Sequence, residues 1–250
     1  MRNRVGRVAL IAALALPLLA PVARPAWAQK PGEGAPNTLT EAERAGGWRL
    51  LFDGKTRTGW HGYGRTGMPE GWQVVDGALT RVALAGDIVT DEKFADFELI
   101  LDWKVAAAGN SGIFYRGVED PDPREHPLFE SAPEMQVLDD ERHADGKSPL
   151  TSAGSLYGLY PAPGGVVKPA GEWNQARILV QGNRVEHWLN GTKVVAYELG
   201  SRDWSERVGK TKFAEWPGYG KSAEGVIGLQ DHGDRVAYRN IKIRVPAKRS

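Results

Sequence analysis

Two short words of this sequence place titratable and hydrogen-bonding side chains at every second position. They are Glu134 and Gln136 in PEMQVLDDERH, and Gln230 and His232 in GVIGLQDHG. In a β-strand alternate residues share a face, so Glu134, Gln136 and Leu138 stand opposite Met135 and Val137. By the same rule Val226, Gly228, Gln230 and His232 stand opposite Ile227, Leu229 and Asp231. A third word, RVEHWLN, groups His187 with Val185 and Leu189, and Glu186 with Trp188. Taken singly, each histidine reads as one satisfied by nearby backbone, and each polar face as solvated surface. Their recurrence on strands whose other face is mostly apolar points instead to one curved sheet with a polar groove. A carboxylate, two imidazoles and two amides along such a floor are the parts of acid–base chemistry. Imidazole titrates near neutral pH, and a carboxylate takes a proton or orients a partner.

Further candidates lie nearby in the pattern. In GNSGIFYRG, Asn110-Ser111-Gly112 reads as a turn, after which Ile113 and Tyr115 oppose Phe114 and Arg116. A buried arginine is costly unless paired, and Glu134 is an available partner. A structural Arg116–Glu134 pair therefore stands beside a catalytic use of both. Tyr157, in the glycine-rich GSLYGLY, reads as a lid residue or as a loop anchor. No two of the five histidines have metal-site spacing and there is no cysteine, so no transition-metal motif is present. The acidic stretch 119–125, EDPDPRE, lacks the spacing of a calcium loop and reads as solvated.

The elements that must hold these residues are almost all strands. WRLLF, GWQVV, ALTRV, DIVT, FELILDWKV, GIFYR, EMQVL, NQARILVQ, RVEHWLN, KVVAYEL, GVIGLQD and RVAYRNIKIRV carry strand patterns. Asp76-Gly77, Gly182-Asn183 and Asn190-Gly191 punctuate them as hairpin turns. TEAERAG at 40–46 opens with a Thr cap and an acid three residues on, a brief helix, and SRDWSERVGKTKF at 201–213 also looks helical. About twelve strands with so little helix predict an all-β antiparallel sandwich of two large sheets with one or two short helices. Loops at 118–131 and 140–172 are long, and long ordered loops are usually functional.

The N-terminus fixes an expected compartment. MRNRVGR is basic, an apolar run broken by Pro17 and Pro21 follows, and AWA at 26–28 has the small-x-small pattern of a signal-peptidase site. Residues 1–28 read as a cleaved signal peptide, 29–45 as a flexible leader, and 46–248 as a single domain. Export without a single cysteine suits a bacterial periplasm or the cell exterior. Removing the four arginines of 1–28 leaves 28 basic against 31 acidic side chains, a net of −3. That balance, with no basic run, speaks against nucleic acid or an anionic membrane as partner once the signal is cleaved. Nine tryptophans, several beside Gly, Asn, His or Asp, suit the apolar faces and polar rims of sugar rings. Nothing in the pattern sets an oligomeric state.

From about Gly46 to Val245 the chain resembles the 3-keto-disaccharide hydrolase family. The matching words are GWRLLFDGKTRTGW, GNSGIFYRG, PEMQVLD, AGSLYGLY, GEWNQARI, HWLNG and GLQDHG followed by RNIKI. The resemblance implies a concanavalin A-like jelly roll and activity on glycosides already oxidised to a ketone at C3. Glycosidases on such jelly rolls use carboxylates along one strand, as E-x-D-x-x-E. Here the word is Glu134-Met-Gln136-Val-Leu-Asp139, with an amide in the middle and the last acid on the other face. A C3 ketone acidifies the C2 hydrogen, so one base, oxyanion donors and an acid for the leaving oxygen suffice. His187, His232 and Glu134 are the expected catalytic groups. Arg116, Gln136, Gln230, Asn110, Tyr157 and Trp188 are the expected substrate contacts, with Trp216 as a further stacking platform. No cofactor is required, although His187, His232 and Glu134 offer ligands to a divalent ion that would polarise the ketone. The competing readings are a lectin-like binding module and a conventional carboxylate glycosidase.

Overall fold

The computed structural model describes residues 35–246. In chain order the elements are α1 (Glu41–Ala45), β1 (Trp48–Leu50), β2 (Trp60–Gly62), β3 (Trp72–Val75), β4 (Ala78–Arg81), β5 (Ile88–Thr90) and β6 (Phe97–Val105). Then come β7 (Asn110–Gly117), β8 (Glu134–Leu138), β9 (Asn174–Gln181), β10 (Arg184–Leu189), β11 (Thr192–Glu198), α2 (Arg202–Val208), β12 (Val226–Leu229) and β13 (Val236–Arg244). The twelve strand patterns of the sequence all appear. The unforeseen strand is β2, three residues inside a glycine-rich stretch, too short to show alternation.

The strands form two antiparallel sheets, a jelly-roll sandwich. The larger runs β11-β10-β9-β6-β13-β4-β3, with β1 also on β13, and the smaller runs β2-β5-β12-β7-β8. Alternation along β6 sends Phe97, Leu99, Leu101, Trp103 and Val105 inward. There they meet Ile113 and Tyr115 of β7, Met135 and Val137 of β8, and Ile227 and Leu229 of β12. Asp76-Gly77 and Asn190-Gly191 have positive φ at both residues, the geometry that closes a tight hairpin with the right-handed strand twist.

The segment expected as a flexible leader is docked from Asn37 onward. A bulge in β13 leaves Asn240 at φ 53 with backbone groups off the ladder. Asn37 answers it: its N–H donates to Asn240 Oδ1 (2.6 Å), and its own Oδ1 accepts from the Asn240 N–H (2.8 Å). Thr40 and Glu43 cap α1 reciprocally, and Glu43 pairs with Lys242 of β13. The proposed signal segment 1–28 lies outside the described residues.

Candidate active site

The outer face of the smaller sheet is where the polar alternation of the sequence comes together. Glu134 of β8 pairs with Phe114 of β7, and Gln136 with Gly112. Phe114 pairs with Gly228 of β12, and the Gln230 N–H donates to the Gly112 carbonyl at 3.0 Å. Gln136, Gly112 and Gln230 thus form one row across three strands. Asp87, one residue before β5, extends that row, because Ile88 pairs with Leu229.

Glycines give this face its shape. A Cβ on Gly112 would lie 2.0 Å from Glu134 Oε1, so only glycine lets the Glu134 side chain lie across β7. Gly117 and Gly228 make room for Leu128, whose methyls would lie 2.4 and 2.5 Å from Cβ atoms there. Leu128 seals a small apolar cluster with Tyr63, Val89, Phe114, Ala132 and Val226. That anchors the 3-10 turn Leu128–Glu130, which places Phe129 over the face. On the other side, the loop after β8 returns to its exposed edge. The Tyr157 N–H donates to the Glu134 carbonyl (3.1 Å), and the Gly154 N–H to the Gln136 carbonyl (2.8 Å). Covering an edge in this way stops it from pairing with another chain, and here it also delivers Tyr157.

These elements enclose a cavity of about 150 Å³. Asn110, Glu134, Gln136, Tyr157, Trp216, Gln230 and His232, seven of the ten residues selected from sequence, line it. Phe129, Ala132, Lys212, Phe213 and Tyr219 complete it. Asn110 Oδ1, Gln136 Oε1 and Gln230 Oε1 are buried without a hydrogen-bond partner. Buried polar atoms are nearly always satisfied, so three lone acceptors around one cavity mark a place prepared for donors.

Glu134 is the acid of this cavity. Burial, and then the Asp87 carboxyl, push its pKa up to about 8, with Lys212 pulling the other way. Among the described residues no side chain forms an ion pair with it. Asp87 is pushed up to about 7 by burial, against a 2.8 Å hydrogen bond from the Asp231 N–H. Burial and the carboxylates of Asp145 and Glu134 raise Tyr157 above the usual phenol range. His232 sits exposed at the rim.

Lys212 is the functional group that the sequence reading missed. It falls in the stretch expected to continue a helix, but α2 ends at Gly209 and a 3-10 turn, Lys212–Glu215, follows. Its Nζ lies 5.1 Å from the Tyr157 ring centroid, 5.6 Å from Phe213 and 5.7 Å from Trp216. The signal was there in Phe213, Trp216 and Tyr219, whose spacing of three suits a 3-10 repeat rather than an α-helical face.

Three expected residues are elsewhere. His187 lies on the inner face of the larger sheet, fully buried between Tyr115 Oη (2.8 Å from Nε2) and the Gly154 carbonyl (3.1 Å from Nδ1). Its face is the one it shares with Val185 and Leu189, which is core. Burial lowers its pKa to about 4, so it is a neutral structural imidazole and not a base in the cavity. Trp188, on the opposite face of that strand, points away from the smaller sheet and packs against Arg177 and Lys193 at 4.9 and 5.7 Å. Arg116 is turned aside by a bulge between β7 and β12 that leaves it at φ 52. Its guanidinium donates to the carbonyls of Ala95 (3.0 Å) and Gly182 (2.8 Å) and pairs with Asp96, so the expected pair with Glu134 is not formed. The divalent-ion set His187, His232 and Glu134 is likewise not assembled. Among the described residues no cluster of three or more His, Asp or Glu side chains has metal-binding geometry. In the 119–125 loop, Asp120 and Asp122 accept from backbone N–H groups of the loop itself. Asp139, the displaced acid, accepts from the Ala108 N–H at 2.7 Å and holds the β6–β7 turn.

Fold and site together define a jelly-roll protein with a small, aromatic-walled polar pocket built around one uncompensated acid. Residues 47–244 match the 3-keto-alpha-glucoside-1,2-lyase-like domain, and the chain belongs to that family. It is 39% identical over 229 residues to the 3-keto-disaccharide hydrolase of Bacteroides thetaiotaomicron, covering 80% of this chain and 79% of that one. A solved Parabacteroides distasonis protein classed as a glycosyl hydrolase is 38% identical with a TM-score of 0.78, over 85% of this chain and 100% of its own. A Bacillus subtilis protein with a galectin-like fold shares the architecture at 14% identity and a TM-score of 0.51, over 86% of this chain and 96% of that one. The protein is an enzyme that cleaves glycosidic bonds. Among its described residues no helix is long and apolar enough to cross a membrane.

Proposed function

We propose that the enzyme acts on glycosides carrying a ketone at C3, by C2 proton abstraction, elimination at C1 and addition of water. The observation that carries this reading is Glu134, the one acid among the residues lining the cavity, with a pKa of about 8 and amides beside it on the lining. A double displacement needs two carboxyls facing the bond, and Asp139 is committed to a backbone turn. A single base whose pKa lies close to working pH is suited to removing a carbon-bound proton.

Glu134 takes the C2 proton, and the C–H electrons form an enolate with its charge on O3. The Lys212 ammonium, which lines the cavity, stabilises that charge. The enolate collapses to the ketone, forms the C1–C2 double bond and expels the C1 oxygen, which takes a proton from His232 at the rim. Water then adds at C1 and gives its second proton to His232, while Glu134, its proton exchanged with solvent, protonates C2. Asn110, Gln136 and Gln230 accept from sugar hydroxyls, which supports their lone buried oxygens as binding groups. Trp216 and Tyr219 offer ring faces for stacking, and the basic, apolar leader sequence supports export to the periplasm or beyond.

The test is incubation with a p-nitrophenyl glucoside and its 3-keto derivative in deuterated water. Release of nitrophenol from the 3-keto compound, with deuterium at C2 of the sugar, is the expected result. Cleavage of the unoxidised glucoside alone would overturn the reading.

A further inference from the structure

A second cavity of about 520 Å³ adjoins the first. Trp216 is a wall of both, and the 3-10 turn Leu128–Glu130 divides them, with Phe129 lining the first and Glu130 the second. A sugar ring held by Asn110, Gln136 and Gln230 in the first cavity has Trp216 at its wall, and the hollow beyond Trp216 is the adjoining space for whatever is joined to that ring at C1.

The two cavities differ in charge. The first holds one cation, Lys212, and one acid, Glu134. The second is lined by four acids, Asp120, Glu125, Glu130 and Glu215, with no lysine or arginine among its lining residues. His126 lines it too, with Nδ1 3.6 Å from Glu130. The remaining wall is apolar, from Tyr63, Pro127 and Trp216.

We propose that the second cavity receives the leaving group of the glycoside, and that its acids select neutral or cationic leaving groups over anionic ones. The inference rests on the 3-keto-glycoside reading above. Elimination releases an alkoxide or phenoxide that is neutralised only on taking its proton. A leaving group carrying a second, permanent negative charge would meet four carboxylates. These acids are partly solvated, so the discrimination is screened by salt.

The experiment compares kcat/KM for three 3-keto-glucosides with methyl, 4-carbamoylphenyl and 4-carboxylatophenyl leaving groups. The two aryl groups match in size and differ in charge. At low salt the anionic substrate is expected to be about tenfold poorer than the neutral aryl one, the gap closing to about threefold or less near 1 M salt. The Glu130→Gln/Glu215→Gln double variant is expected to narrow the same ratio. Trp216→Ala is expected to cost the carbamoylphenyl substrate about tenfold more than the methyl one. Equal kcat/KM for the neutral and anionic aryl substrates at low salt would overturn the inference and leave the 3-keto reading intact. Turnover of none of the three would overturn that reading and this inference with it. Should the double variant fail to fold, the salt dependence of the wild-type ratio still decides.

Discussion

Glu98 and Glu134 are both buried, at 3% and 9% exposure, and both lie on the outer face of a sheet. Their surroundings differ completely. Glu98, on the larger sheet, accepts from Arg177 Nε at 2.5 Å and pairs also with Arg244. Its neighbours are handled alike: Asp102 pairs with Arg239, and Glu186 with Lys193 and the Trp188 indole. Charge on that sheet is matched by charge and ties strands together. Glu134 has only Lys212 as an attracting cation, with no ion pair formed among the described residues, and a second buried acid, Asp87, working against it. A carboxyl held in this way costs stability whenever it is ionised, and a fold keeps such a group where the proton itself is in use.

The largest expected effect separates these two acids. Glu134→Gln should lower kcat about 10²- to 10⁴-fold, the range of a lost general base, with no loss of thermal stability. Glu98→Gln should leave kcat within about twofold while costing on the order of 3 kcal/mol, because Arg177 and Arg244 lose the buried carboxylate they share. Kinetics and chemical denaturation of the two variants together decide the matter. If both lose activity alike, the division between structural and working acids is wrong.

The pH dependence of stability sharpens the same contrast. Glu134 has its folded pKa raised to about 8 from an ordinary 4.5. As pH rises above 4.5 the unfolded chain releases this proton first, so stability falls until about pH 8, by an order of a few kcal/mol. Asp87, raised to about 7, acts with the same sign. His187, lowered to about 4 from 6.5, acts oppositely: its contribution is full above pH 6.5 and is lost as pH falls toward 4. Two falling contributions against one rising leave the sum declining from about pH 4.5, and more steeply once the His187 contribution is complete above pH 6.5, so denaturation midpoints should fall across pH 4.5–8. In Glu134→Gln that decline should flatten. An unchanged slope in that variant would mean that Glu134 titrates as an ordinary acid.

Most of the fold was legible because period-two alternation and the Asp-Gly and Asn-Gly turns are local signals. So was most of the cavity, since Glu134/Gln136 and Gln230/His232 share faces by strand geometry alone. What failed was which sheet a face belongs to. His187 alternates with Val185 and Leu189, and an inward core face looks in one dimension like the apolar half of a groove. Arg116 failed through a bulge, which shifts the register by one residue without any mark in the composition. Lys212 failed because a 3-10 turn followed the helix where the pattern suggested continuation. Asp87 lies outside its strand, and only the pairing of Ile88 with Leu229 brings it into the row with Gln230.

The two histidines first grouped as catalytic now provide the finest test of that distinction. His187 is held by Tyr115 and Gly154 with no exposed surface, whereas His232 lines the cavity from the exposed rim. His187→Ala would leave the Tyr115 hydroxyl and the Gly154 carbonyl short of a partner and open a void, at about 2–4 kcal/mol. Folded protein of that variant should keep kcat within about threefold, since the imidazole touches no part of the cavity. His232→Gln should do the reverse, lowering kcat about tenfold with stability unchanged to about 0.5 kcal/mol, as surface changes do. Its deficit should shrink for substrates whose leaving group departs without a proton, such as nitrophenoxide, because an acid for the leaving oxygen is then dispensable. A His232→Gln deficit equal for nitrophenyl and alkyl glycosides would remove the imidazole from that role and give the proton transfer to another donor lining the cavity, Lys212 or Tyr157.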